Sequence, residues 1–329
     1  MRLRRAVGYA ALGAGALAAI VRGLRESAGP LEPPLDGVDH TFRWRGIDVS
    51  YTEAGDPDDP TLVCLHGISA AGSSGEFRSV FRDLAADHHV IAPDLPGFGR
   101  SDRPPLTYSA AFYEDFVAAF LAEFDSPTVL ASGLTAAYAV AAARGDADSP
   151  AGVDVGRIVL VCPTTVAGPD PPKPWLRALL RAPLAGEALY DLLVSRPSIR
   201  YFNADHGYYD TSNLSPEWVD YEWRTAHQPG ARYAVASFVS GFLNADLDLG
   251  AAIADLDVPT TLVWGREATV TPLADGREMA ERADARLVVF DDATLLPHVE
   301  FPAAFVEEVR RATAAGDDGA TAEPTATAA

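Results

Sequence analysis

The run Thr128-Val129-Leu130-Ala131-Ser132-Gly133-Leu134-Thr135-Ala136-Ala137-Tyr138 constrains this chain more than any other stretch. A short apolar run that opens on β-branched residues passes through small side chains straight into an alanine-rich run. That order reads as a strand, a sharp turn and a helix. The small residues let strand and helix approach closely at the turn, so the unit belongs inside a sheet with helices packed on it.

The flanking segments repeat the rhythm. Thr41–Arg45 and Ile47–Thr52 alternate around Gly46, a hairpin signature. Thr61–Leu65 is a continuous apolar strand of the fully buried kind, His89–Ala92 reads as the next strand, and Arg157–Cys162 as another buried one. Helical runs cover Val80–Ala86 and Tyr108–Phe124. From Pro163 to Asp248 the alternation stops, and an aromatic, helix-patterned segment takes its place. The rhythm resumes with strand Thr260–Trp264, helix Pro272–Ala283, strand Arg286–Phe290 and helix Pro302–Arg311. The Ala-, Thr-, Gly- and Asp-rich residues 312–329 are expected to be disordered.

The net charge of −20 argues against nucleic acid, because phosphate binding needs a basic surface. Asp outnumbers Glu 30 to 16, and Lys173 is the only lysine beside 25 arginines. Such an Asp-rich, Lys-poor balance resembles the proteins of salt-accumulating halophiles, where dense salt screens self-repulsion; the plainer alternative is an acidic protein from a high-GC genome. Unfolding followed against KCl concentration should therefore show stability falling as salt is withdrawn; constant stability would contradict the halophilic reading. Cys64 and Cys162 sit at or near the ends of two strands that another strand separates in the sheet proposed below. They are expected to be core residues without a disulfide.

Residues 1–25 place arginines on both sides of the uncharged run Ala6–Val21. This run is slightly shorter than the ~20 residues of a full span, and flanking arginines can snorkel to extend it. An uncleaved N-terminal membrane anchor is the expectation, with a removed signal peptide or a surface helix as the alternatives. The two sides are nearly balanced in charge, so orientation is open, and without the anchor the chain would be cytoplasmic. Residues 26–40 form a Pro-rich linker.

Several motifs go beyond pattern. Leu65-His66-Gly67, Asp94-Leu95-Pro96-Gly97-Phe98-Gly99-Arg100-Ser101-Asp102, Trp264-Gly265 and Pro297-His298-Val299-Glu300 stand in the order and spacing of the α/β-hydrolase superfamily, which this chain resembles from Phe42 to Arg311. The resemblance implies an α/β fold with a mostly parallel eight-stranded sheet flanked by helices. It assigns residues 41–162 and 249–311 to the core, and residues 163–248 to a helical cap inserted after the sixth strand. It also makes Ala131-Ser132-Gly133-Leu134-Thr135 the nucleophile elbow, with glycine where the nucleophile belongs. The acid position falls on Ala268 and the base position on Leu295. None of the three side chains can attack, transfer a proton or orient a partner, as acyl transfer by a serine triad requires.

Other groups are weaker candidates. Ser132 precedes the elbow position, His298 is a possible surviving base, and Glu267 lies one residue from the acid position. Each has a plainer reading, as a loop-satisfied hydroxyl, a structural histidine and an exposed carboxylate. Ser73 and Ser74 follow no strand directly, Thr135 fills a packing slot, and Asp94 supports loop geometry. His66, Gly67, Ile68, Gly133 and Leu134 are expected to form the pocket and its oxyanion donors, which bind a carbonyl even without a nucleophile. No histidine shows metal-ligand spacing, and no metal or cofactor is expected. The expected role is a non-catalytic pocket for a small apolar or carbonyl-bearing ligand, or for a partner protein. The alternatives are an active hydrolase with a non-standard constellation and a purely structural module.

Overall fold

Side-chain alternation along the central strands sorts the core into two faces. The computed structural model describes residues 19, 22–24, 26–145, 152–314 and 325–326. Eight strands form the sheet: β1 (Val38–Trp44), β2 (Ile47–Ala54), β3 (Thr61–Leu65), β4 (His89–Pro93), β5 (Thr128–Ser132), β6 (Arg157–Val161), β7 (Thr260–Gly265) and β8 (Arg286–Phe290). A two-residue β9 (Thr325–Ala326) adds at the β8 edge, giving the order β1-β2-β4-β3-β5-β6-β7-β8-β9. The β1–β2 and β2–β4 pairs are antiparallel, and all the others are parallel. The β1–β2 hairpin turns through Arg45 and Gly46, both at positive φ, as a tight right-twisted hairpin requires.

Val63, Leu65, Val129, Ala131, Leu160 and Leu262 join one hydrophobic cluster with helices α2 (Ala110–Leu121) and α3 (Thr135–Arg144). Leu62, Cys64, Leu130, Val159 and Val263 point the other way. They meet α1 (Phe81–Leu84) and the C-terminal helix Pro302–Ala314. The period-two pattern of fully buried strands thus assigns every core side chain to a face. Cys64 and Cys162 are both buried and unpaired, with β5 between their strands.

The segment after β6 is helical. It comprises α4 (Pro174–Arg181), α5 (Ala185–Leu193), α6 (Arg196–Phe202), a π-turn at Asn203–Gly207, α7 (Pro216–Ala226) and α8 (Arg232–Val239). The core then resumes through α9 (Leu249–Ala254), β7, α10 (Leu273–Ala283), β8, α11 (Pro297–Glu300) and α12 (Pro302–Ala314). Ser109, Ser215 and Asp248 cap α2, α7 and α9 by accepting from backbone amides of the first turn.

The tail expected to lack structure differs from that expectation in two places. Helix α12 runs on to Ala314, three residues into it, and Thr325–Ala326 pair with Val289 and Phe290. The open edge of β8 offers unpaired amides and carbonyls to any strand-forming segment within reach. The expected anchor at 1–25 lies almost wholly outside the described residues. No helix among the described residues is long and apolar enough to cross a membrane.

Candidate functional site

The elbow forms as its sequence requires. Strand β5 ends at Ser132, Gly133 turns at φ +56°, and α3 begins at Thr135. That left-handed conformation costs a residue with a Cβ about 1–2 kcal/mol, and glycine adopts it freely. The Gly133 amide donates to Val161 O (2.9 Å), and the Thr135 hydroxyl donates to His66 O (2.8 Å). These bonds fix the turn against β6 and β3. A Cβ built on Gly133 would meet no atom within 4 Å, so the position where a nucleophile would stand is open space.

The two other positions expected to carry a triad residue are apolar. Ala268 is buried in the same cluster as Ile68 and Leu134, and Leu295 packs against that cluster. Among the described residues, neither the Ile68 nor the Leu134 amide donates a hydrogen bond to another protein group. Both donors of the expected oxyanion site are therefore free.

Two residues expected in the pocket are committed elsewhere. His66 is fully buried, with Nδ1 bonded to Gly67 O (2.8 Å) and Nε2 accepting from the Leu95 amide (3.0 Å). These contacts fix one neutral tautomer, and burial lowers its pKa further. His66 is thus a strut between two loops rather than a pocket donor. Gly67 gives its amide to Glu76 Oε2 (2.8 Å), so it too is withdrawn from the oxyanion site.

Ser132 shares its sheet face with Leu130, so its side chain projects behind the elbow. There it meets Glu76, on the 3-10 turn Ser74–Phe77 after β3. A methyl placed on Gly67 would touch both, at 3.2 Å from Glu76 Oε2 and 3.4 Å from Ser132 Oγ. Glu76 Oε1 lies 3.5 Å from His298 Nε2, and the His298 ring is wedged between Phe77 and Phe305. Burial raises the Glu76 pKa against the pull of the Ser132 hydroxyl, the Gly67 amide and Arg78. Burial first, and the Arg78 charge second, push His298 down to about 3. His298 is therefore uncharged at neutral pH, and its contact with Glu76 is not an ion pair. Glu76 Oε1 and both His298 nitrogens have no hydrogen-bond partner. No hydrogen bond joins Ser132 to His298 among the described residues.

Of the three weak candidates, Ser132 and His298 come together and Glu267 does not. Glu267 is exposed on the loop after β7, near Tyr209. Sequence reasoning missed Glu76 because the loop after β3 has no periodicity that marks an inward-facing carboxylate. Ser74 donates its amide to Asp94, while the Ser73 and Ser74 hydroxyls are buried without partners.

A second polar group joins cap and core. Arg78 donates to Gly75 O and to the Tyr208 hydroxyl, and its guanidinium lies 3.7 Å from the centre of the Trp218 ring. Glu222 on α7 accepts from Asn203 Nδ2 (2.7 Å) at the π-turn. Burial pushes the Glu222 carboxyl up to about 7, while the Asn203 bond and the Arg78 charge oppose the rise. A carboxyl raised on folding stabilises the native state below its unfolded pKa, and the benefit is lost as pH climbs through the folded value. Stability should therefore fall by up to about 3 kcal/mol from pH ~4.5 to ~7 through this group, less the screening at its partly open side. Glu222→Gln should flatten that part of a denaturant-midpoint profile; an unchanged slope would show that Glu222 titrates normally.

Comparison with known proteins gives the frame a family. A profile described as "Alpha/beta hydrolase family" matches residues 62–308. An uncharacterized hydrolase of Saccharomyces cerevisiae is 48% identical over 59 residues, which is 18% of this chain and 20% of that protein. A haloalkane dehalogenase of Bradyrhizobium diazoefficiens is 33% identical over 102 residues, 31% of this chain and 30% of that one. The chain thus matches less than a third of the length of either relative. Among solved structures, a serine hydrolase involved in carbazole degradation superposes with a TM-score of 0.67 at 18% identity, covering 84% of this chain and 99% of that one. The enol-lactonase of Burkholderia xenovorans gives 0.66 at 18% identity, covering 84% and 100%. At that identity the likeness concerns the fold alone. With a profile that matches most of the sheet and the whole cap, the chain belongs to the alpha/beta hydrolase family.

Proposed function

We propose that this protein uses its hydrolase fold to bind a small apolar or carbonyl-bearing molecule above Gly133, without cleaving it. The observation that carries this reading is the elbow itself. It keeps the left-handed turn and clear space that a nucleophile needs, but presents only a hydrogen atom there. Ala268 and Leu295 add no proton-transfer group, while the free Ile68 and Leu134 amides can still hold a carbonyl oxygen. Apolar walls with a few convergent polar donors describe a binding pocket as well as an active site.

A hydrolase with an unorthodox constellation is the second reading, favoured by the meeting of Ser132, Glu76 and His298. Three features oppose it. Ser132 projects behind the elbow, no hydrogen bond links it to His298, and Glu267 stands apart on the surface. The test is a thermal-shift screen of short acyl esters with recovery of the bound compound. A ligand at about 100 times its Kd should add ~2.7 kcal/mol of stability and be recovered intact. Recovery of the free acid and alcohol would contradict the binding reading.

A further inference from the structure

The cap carries a surface unlike the rest of the molecule, and this surface does not depend on the pocket reading. Seven of the twelve large apolar side chains exposed among the described residues lie between Trp175 and Phe202. Trp175 and Leu192 are 65% and 66% exposed, with Leu179, Leu184 and Leu189 beside them on α4, α5 and the turn between. In a chain of net charge −20, the only lysine, Lys173, stands just before this stretch, which carries Arg177, Arg181, Arg200 and Arg196, the last paired with Asp220. Its two acids are turned away from solvent. Glu187 pairs with Arg232 at 3.1 Å, and Asp191 is buried.

A second observation comes from the other end of the chain. Ala28 is buried against Ile199, Val219 and Trp223 of α6 and α7. Arg224 bonds the Ala28 and Pro30 carbonyls, and Gln228 bonds that of Gly29. The chain that leads back to the apolar run Ala6–Val21 therefore leaves from the cap.

We infer that the exposed face of the cap formed by α4, α5 and α6 docks on an anionic lipid surface. Exposed Trp and Leu beside cations match the apolar and electrostatic terms of interfacial binding, in which aromatic rings enter the headgroup layer and cations meet lipid phosphates. A second copy of the chain fits less well. A two-fold contact would bring the two cationic patches together, and a contact with the acidic surface would leave Trp175 and Leu192 without an apolar partner.

Cys64 and Cys162 are fully buried, so a nitroxide on Leu192→Cys of the full chain reports that site alone. A label on Asp257→Cys, exposed before β7 at the opposite end of the sheet, is the control. Vesicles of phosphatidylglycerol with phosphatidylcholine are compared with phosphatidylcholine alone, at the lowest KCl concentration that keeps the protein folded. The Leu192 label should become accessible to oxygen and shielded from a water-soluble nickel complex only with the anionic lipid, while the control stays aqueous. Lys173→Gln with Arg200→Gln should shift the docked-to-free ratio about 30-fold toward free. A Leu192 label that stays aqueous with both lipids, or one shielded equally by both, would overturn the inference. Shielding that needs no vesicles and rises with protein concentration would assign the face to a second copy and overturn it as well.

Discussion

Restoring three side chains at once, Gly133→Ser, Leu295→His and Ala268→Asp, is expected to raise hydrolysis of a short acyl ester at least ~10³-fold above the wild-type protein. The elbow can accept the serine because a Cβ at Gly133 meets nothing within 4 Å. Its φ of +56° costs the new residue about 1–2 kcal/mol, which a chain of this size can absorb. Each single substitution should remain inert, because nucleophile, base and acid act as a unit. Ala268→Asp alone should also destabilise, since it buries a carboxylate with no partner. If the triple variant folds and stays inert, the elbow and the two loops have drifted out of catalytic register. The loss would then be geometric as well as chemical.

The second large effect concerns the loop that frames the elbow. Asp94→Ala should lower stability by about 3–5 kcal/mol, a drop of roughly 10 °C in Tm. Asp94 is fully buried and accepts from the amides of Ser74 (2.7 Å) and Arg100 (2.9 Å), with Arg100 Nε 3.6 Å away. Removing the carboxylate leaves two buried amides unsatisfied and a guanidinium short of one of its carboxylate partners. Gly99 is tied to the same group, because a Cβ there would lie 2.0 Å from the Asp94 carboxyl carbon. Asp94→Asn keeps an acceptor and should cost about half as much. Thermal unfolding of both variants decides; equal, small losses would show that the carboxylate is not what holds the loop.

Most of the architecture was legible in the chain, for definite reasons. Leu62–Leu65, Val129–Ala131 and Ile158–Val161 are unbroken apolar runs, which marks strands buried on both faces. The elbow, the Gly-rich loop after β4 and the Trp-Gly pair demand particular backbone turns, so their residues reveal the topology. The side chains at the three expected triad positions, Gly133, Ala268 and Leu295, are read directly from the chain. Which groups meet in space was harder to read. Glu76 reaches the elbow through a loop of irregular backbone, and nothing in its spacing signals a neighbour such as His298. His66 looked like a pocket residue because it adjoins Gly67, yet both its nitrogens serve the backbone. The β8 edge recruits Thr325–Ala326, a long-range pairing that a local compositional reading of residues 312–329 does not register.

The buried polar group behind the elbow is where the two functional readings part. Glu76 Oε1 and both His298 nitrogens lack partners beside the apolar cluster that holds Phe77 and Phe305. Unsatisfied groups of this kind cost stability, so they are kept either for a bound water or for chemistry. A pKa near 3 makes His298 a weak base that hydrogen-bonds neither Ser132 nor any other group among the described residues, and the Ser132 hydroxyl meets the Glu76 carboxyl instead.

Steady-state hydrolysis of short acyl esters in molar KCl, by the wild-type protein and by Ser132→Ala and His298→Ala, tests the central claim most directly. The account predicts that all three rates equal the buffer rate. Wild-type turnover that disappears in either variant would contradict it and would make the cluster behind Gly133 the active site.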